Sequence, residues 1–165
     1  MLFRSVCAMD YPRDRMDIQV LDDSTDETRD LVELAVRRQA SRGFQITHLH
    51  RTDRTGFKAG ALDEGLKVAK GDYIAIFDAD FVPTADFLRK TVPYFQDERV
   101  ALIQARWGHL NHDYSLLTRI QAIMLDGHFV LAHGGRNRSG CFFNFNGTAG
   151  DRKSTRLNSS HVSES

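Results

Sequence analysis

The sequence predicts an α/β fold in which helices pack on a mostly parallel sheet. Three observations carry that prediction. Short apolar runs with strand character alternate with segments of helical periodicity along the chain. One run, Tyr73 to Phe77 (YIAIF), is apolar throughout, as suits a parallel strand covered on both faces. Acidic or polar clusters directly follow several strands, and the carboxyl ends of strands are where open α/β sheets bind ligands.

The elements follow in order. Asp17 to Leu21 (DIQVL) reads as a short strand that ends in Asp22-Asp23-Ser24. Ser24 and Glu27 have the S-x-x-E spacing of a capping box, which predicts a helix start there. Val32, Ala35, Val36 and Gln39 then recur at helical spacing until Gly43. Phe44 to Leu49 is the next strand. Gly56 to Ala69 reads as a glycine-bearing turn into a helix. Tyr73 to Phe77 follows, bounded by Gly71-Asp72 and Asp78. Pro83-Thr84 opens a helix running to Phe95, with Thr84 as its N-cap. Val100 to Gln104 is a strand, Asp113 to Ala132 a helix, and Cys141 to Asn146 an extended segment. Phe142, Phe143 and Phe145 on that segment read as core rather than as a stacking platform.

Composition narrows the function. A chain of 165 residues, 41% hydrophobic and 27% charged, has room for one domain with a real core. The formal net charge is zero, so bulk electrostatics give no case for a nucleic-acid partner. Cys7 and Cys141 make neither a disulfide framework nor a metal-type spacing. No window approaches the ~18 consecutive apolar residues of a membrane span. Met1 to Ser5 lacks the apolar core of a signal peptide. No G-x-x-x-x-G-K-[ST] occurs, which argues against a P-loop NTPase.

The composition changes after Gly150. Asp151 to Ser165 (DRKSTRLNSSHVSES) offers only Leu157 and Val162 as sizeable apolar groups, and predicts a disordered tail. It resembles translated adapter sequence from cloned gene fragments, as do residues 1–5 at the other end. Residues 6–150 are therefore expected to carry the fold, with 1–5 and 151–165 foreign to it.

Asp78 and Asp80 are the leading chemical candidates. Residues i and i+2 of an extended chain point the same way, so both carboxylates can share one Mg²⁺ or Mn²⁺ while phosphate oxygens fill its open positions. A cation there would neutralise a departing diphosphate. The plain alternative is a solvated acidic turn. Asp22 and Asp23 can accept hydrogen bonds from a nucleobase or a ribose hydroxyl, or can simply serve a helix N-terminus. Lys58 in Gly56-Phe57-Lys58-Ala59-Gly60-Ala61 can meet a phosphate as a point charge, or be an ordinary surface lysine. Asn146-Gly147-Thr148-Ala149-Gly150 can form a turn beneath a bound sugar, or a plain tight turn. His109, His112, His128 and His133 show no metal spacing.

Taken together and in order, these stretches resemble glycosyltransferase family 2, in particular its cellulose synthase-like and glucomannan synthase-like branch. The matching segments are VLDDSTDET (Val20 to Thr28), GFKAGAL (Gly56 to Leu62), FDADF (Phe77 to Phe81), QARW (Gln104 to Trp107) and FNGTAG (Phe145 to Gly150). The resemblance implies a GT-A fold, incomplete here, and an inverting transfer of a hexose from UDP-glucose or GDP-mannose to a polysaccharide or glycan acceptor. It implies that Asp22 and Asp23 contact the nucleoside, that Lys58 lies by the phosphates, and that Asp78 and Asp80 hold Mg²⁺ or Mn²⁺. Gln104, Arg106 and Trp107 would line the acceptor side, with Asn146, Gly147 and Thr148 under the acceptor sugar. It also implies a membrane-anchored parent protein with this domain in the cytosol.

The family's catalytic base, in a T-E-D motif, is expected beyond Gly150, as is its Q-x-x-R-W motif. Gln104-Ala105-Arg106-Trp107 is one residue short of that motif and follows a different strand. The covered chain is therefore expected to be inactive alone and, lacking the family's first strand, unstable. Two other readings stand beside this one. A haloacid-dehalogenase-like phosphatase would use Asp78 and Asp80 in D-x-D-x-V. A non-catalytic nucleotide-sugar-binding domain would share the donor residues alone.

Overall fold

A computed structural model describes residues 3–141 and 145–154. Helix α1 (Phe3–Cys7) precedes strand β1 (Ile18–Asp22), helix α2 (Thr28–Ala40), strand β2 (Ile46–His50), helix α3 (Phe57–Val68) and strand β3 (Tyr73–Ile76). Helix α4 (Phe87–Thr91), strand β4 (Leu102–Gln104), helix α5 (Leu116–Gly127), helix α6 (Gly134–Arg138) and strand β5 (Gly150–Lys153) follow.

The α/β class and the strand–helix alternation are as the sequence predicts. β1 and β2 pair in parallel, with Ile18 opposite Ile46 and Asp22 opposite His50. β3 and β4 run the same way, each antiparallel to β5, which lies between them. No ladder joins the two sheets among the described residues. They are joined instead by a core of Met9, Met16, Ile18, Phe87 and Ala149. Phe77 packs there, stacked on Phe81 at 5.6 Å and edge-on to Phe87 at 5.0 Å. α3 approaches β1 through Gly65, where an added Cβ would meet Gln19 Oε1 at 2.8 Å and a Leu21 methyl at 3.0 Å.

Several local expectations change. The Ser24–Glu27 capping box does not form: α2 begins at Thr28, whose amide donates to the Asp26 carboxylate, while Ser24 turns back to Asp22. The second capping residue was therefore competing with a nearer carboxylate and lost. The helix expected from Pro83 to Phe95 is two pieces, because Pro93 has no N–H to continue α4 and a three-ten turn, Val92–Gln96, replaces it. Thr84 does not cap it; its hydroxyl donates to Asp86 instead. The long helix after Asp113 starts later, at a capping box formed by Ser115 and Thr118, and its regular part ends at Gly127. A π-helical turn, His128–His133, then leads into α6. The extended segment expected at Cys141 to Asn146 includes residues 142–144, which lie outside the described residues.

Both terminal segments carry regular structure. Phe3 to Ser5 is helical, and Val6 and Cys7 beside it pack on the core. Asp151, Arg152 and Lys153 are not a free tail but the middle strand of the second sheet. Backbone pairing is blind to side-chain polarity, so a polar segment can complete a ladder that two strands leave open. The remainder of the expected tail, 155–165, lies outside the described residues. Among the described residues Cys7 and Cys141 are free thiols, and no helix is long and apolar enough to cross a membrane.

Candidate functional site

The site is built at the carboxyl ends of β1, β2, β3 and β4. β1 delivers Asp22 and Asp23. Burial raises the Asp22 carboxyl, but hydrogen bonds from the Ser24 hydroxyl and amide and from His48 outweigh it and hold the group below the usual carboxylate range. His48 Nε2 lies 3.0 Å from Asp22 Oδ2, and His50 Nε2 lies 2.9 Å from the Ser24 carbonyl. Asp22 is thus spent on joining β1 to β2 and to the following loop.

Asp23 is gripped by Arg51, which follows β2. Arg51 Nε donates to Oδ1 at 2.8 Å and Nη2 to Oδ2 at 2.5 Å, a bidentate fork. The hydrogen bonds from Arg51 hold the Asp23 carboxyl below its ordinary value. The same guanidinium donates to the Thr55 carbonyl at 3.3 Å and the Phe57 carbonyl at 3.0 Å, so it ties Asp23 to the turn before α3. A depression of about 400 Å³ opens beside Asp23, lined by Ser24, Thr25, Asp26, Thr28 and Arg54.

That turn places Lys58. Gly56 adopts φ 74° and Phe57 φ 46°, both left-handed, so the chain doubles back sharply into α3. Gly60 packs so closely that an added Cβ would lie 2.2 Å from the Thr55 carbonyl oxygen. Lys58, on the first turn of α3, reaches the end of β3: its ammonium bonds Asp78 Oδ1 and donates to the Gly147 carbonyl at 2.7 Å. Asp80, two residues on, is exposed.

The 146–149 turn forms the floor between β3 and β4. The Asp78 amide donates to the Thr148 hydroxyl at 2.8 Å. The Ala149 amide donates to the Ile76 carbonyl, and the Ala105 amide donates to the Ala149 carbonyl. Gln104 holds the turn from the β4 side. Its Nε2 donates to the Thr148 carbonyl at 3.0 Å, and its Oε1 accepts from the Asn146 amide at 3.0 Å. Gly147 has φ 81°, which a residue with a Cβ adopts only at a cost.

The structure therefore brings Lys58, Asp78, Gly147 and Thr148 into one bonded cluster, with Gln104 and Asn146 behind it. Asp22 and Asp23 form a second cluster with His48 and Arg51. Arg106 and Trp107 lie apart from both. Arg106 pairs with Asp126 at 2.6 Å. Trp107 packs edge-on to Phe129 at 5.8 Å, its indole N–H buried without a partner. His128 lies 3.4 Å from the Asn146 side-chain oxygen, and its ring centroid is 4.4 Å from that of His133, the two planes tilted at 58°. The π turn makes that His pair, since residues five apart on an α-helix diverge. Arg51 and His48 are the residues that sequence reasoning missed. The signal was available: Arg51 follows β2 directly and His48 lies two residues before its end, at the same carboxyl edge as the residues that were singled out.

Residues 2–155 match the family model described as glycosyl transferase family 2. The chain belongs to that family. Glucomannan 4-beta-mannosyltransferase 9 of Arabidopsis thaliana is 50% identical over 159 residues, covering 93% of this chain and 30% of that protein. Glucomannan 4-beta-mannosyltransferase 1 of Oryza sativa subsp. japonica is 46% identical over 151 residues, covering 88% of this chain and 29% of that protein. The chain thus spans under a third of the length of these relatives. Among solved structures, S. aureus TarS 1-349 superposes with a TM-score of 0.56 at 20% identity, over 67% of this chain and 32% of that one. Its complex with UDP gives 0.55, over 66% and 31%. That likeness establishes the GT-A fold, as the family 2 motifs imply, and the phosphatase reading of Asp78 and Asp80 has no support beside it.

Proposed function

We propose that this family 2 chain is the donor-binding part of an inverting glycosyltransferase that moves a hexose from a nucleotide-diphospho-sugar to a glycan acceptor. One observation carries the reading: Lys58, Asp78 and the Gly147–Thr148 turn, from three separate stretches of sequence, are bonded together at the carboxyl edge of the sheet. The names of the glucomannan mannosyltransferase relatives support mannose as the transferred hexose, and so GDP-mannose of the two expected donors, with a mannan-type glycan as the acceptor.

In this reading Asp23, held rigid by Arg51, receives the nucleoside, and the adjoining depression seats it. Asp22 acts through Ser24 and His48 to fix the loop rather than touching the ligand. Asp78 and Asp80 would hold Mg²⁺ or Mn²⁺. Among the described residues no group of three His, Cys, Asp or Glu side chains converges. Two carboxylates nevertheless fit a cation that keeps waters and binds substrate phosphates. Such a cation would offset the charge of the diphosphate as it leaves.

The chain's own residues do the rest. Lys58 meets phosphate charge. Gln104 fixes the floor on which the acceptor sugar rests, with Asn146, Gly147 and Thr148 forming that floor. During transfer an acceptor hydroxyl oxygen bonds to the anomeric carbon, the bond from that carbon to the diphosphate oxygen breaks, and the hydroxyl proton passes to a base. We assign no base among the described residues. We propose in addition, from the resemblance alone, that the parent enzyme works at a membrane with this domain in the cytosol.

Calorimetric titration with GDP-mannose and UDP-glucose, each with Mn²⁺, tests the function. Saturable binding that is lost in Asp78→Asn supports it. No binding of either donor by folded protein removes it.

A further inference from the structure

We propose that the Lys58 ammonium is the resident counter-ion of Asp78, and that it yields its place on that carboxylate to a divalent cation when a nucleotide diphosphate arrives. The inference rests on reading Asp78 and Asp80 as the cation-holding pair. Lys58 Nζ is bonded to Asp78 Oδ1 and to the Gly147 carbonyl, so in the ligand-free chain one positive charge already sits on the carboxylate a metal would use. A divalent cation held by the Asp78 carboxylate would share its negative charge with the ammonium already bonded there, so the two compete. Two cations held side by side at one partly exposed carboxylate repel each other, and solvent screening keeps that repulsion modest.

The lysine can leave without disturbing the fold. Its side chain and that of Asp78 are 49% and 39% exposed, and its backbone belongs to a fixed helical turn. Only its flexible four-carbon stem has to rotate. A diphosphate beside the cation gives the ammonium a new anionic partner. Lys58 therefore opposes the cation alone and favours the cation together with diphosphate. That makes the two ligands cooperative, and the coupling is reciprocal by linkage.

The test measures Mn²⁺ binding by electron paramagnetic resonance, without nucleotide and with saturating GDP or UDP, in the wild-type chain and in Lys58→Met, Lys58→Arg and Asp78→Asn. Circular dichroism of each variant serves as the folding control. Removing the charge is expected to tighten nucleotide-free Mn²⁺ binding about five- to tenfold and to shrink the enhancement that nucleotide gives, since a neighbouring unit charge is worth about that much at a half-exposed site. Lys58→Arg should stay near wild type. Should Lys58→Met not fold for want of the Gly147 contact, Lys58→Gln, which can still donate to that carbonyl, carries the same comparison. Equal or weaker Mn²⁺ binding in the neutral variant overturns the counter-ion role and leaves the cation pair standing. Mn²⁺ binding that Asp78→Asn does not diminish overturns the cation pair itself, and this inference with it.

Discussion

The backbone amide of Asp78 donates to the Thr148 hydroxyl at 2.8 Å, across 70 residues of sequence, and Thr148 is only 5% exposed. This bond fixes the acidic turn after β3 to the turn before β5, and in the proposed reading it sets the spacing between the donor and acceptor sides of the site. Thr148→Val keeps the shape and removes the acceptor. The part-buried amide then loses its partner, at a cost of about 1 kcal/mol. Chemical denaturation should show that loss, and nucleotide diphosphate binding should weaken, while Thr148→Ser stays close to wild type in both. Unchanged stability in Thr148→Val would remove this bond from any structural role.

The fork between Arg51 and Asp23 predicts a pH signature. The Asp23 carboxyl is held below its ordinary value, chiefly by hydrogen bonds from Arg51, so ionised Asp23 favours the folded state. The contribution is present above the carboxyl's unfolded pKa of about 3.9 and is lost as pH falls through the lower folded value. Arg51→Met should therefore be less stable than wild type at pH 7, and the two should converge in acid. Urea denaturation at pH 7, 5 and 3 reads this directly. A gap that stays constant with pH would mean that the arginine acts through its carbonyl contacts to Thr55 and Phe57 alone.

Much of this was legible in the sequence. Tyr73 to Phe77 announced a strand because no polar residue interrupts it, and the D-x-D that follows was therefore placed at a carboxyl edge. Gly56 announced a turn, and the left-handed φ of 74° is the reason glycine stands there. What the sequence hid was competition between partners. Ser24 had a capping position available and took the nearer Asp22 carboxylate. Gln104 reads as an acceptor-side group by its motif, yet its amide is consumed by the backbone of the 146–149 turn. Arg106 and Trp107 share that motif but alternate to other surroundings, one paired with Asp126 and one packed on Phe129. Such choices depend on which distant segment arrives beside a side chain, and local spacing does not encode that.

Gly60 supports a prediction on the α3 turn. An added Cβ would sit 2.2 Å from the Thr55 carbonyl oxygen and 2.8 Å from Arg51 Nη1. The first obstacle is backbone and cannot swing away, so the turn itself must move. Gly60→Ala should lower the unfolding midpoint and weaken donor binding, because both the Arg51–Asp23 fork and the Lys58 approach depend on this turn. Donor titration together with thermal unfolding checks it. Wild-type values in both would show that the turn has slack that the close contact conceals.

Asp151 supplies the last prediction. It is 1% exposed in the central strand β5, opposite Ala75 of β3 and Ile103 of β4, and neither of its carboxylate oxygens has a hydrogen-bond partner. The nearby Thr91 hydroxyl offsets the burial a little, but it is already donating to the Phe87 carbonyl. Burial pushes the Asp151 carboxyl up to about 6. With the folded value raised, the native state holds its proton more tightly than the unfolded chain does. The contribution of this one group to stability is then greatest below about pH 4, falls as pH rises from about 4 to about 6, and stays low above that, by about 3 kcal/mol. Asp151→Val suits a strand flanked by Ala75 and Ile103, and should raise stability at pH 8 by about 2–3 kcal/mol while erasing that pH dependence. Urea denaturation at pH 4.5 and pH 8 decides the matter: a wild-type curve that does not shift between them, or a valine variant no more stable at pH 8, would show that the carboxylate escapes to water and that β5 does not hold Asp151 between its neighbours.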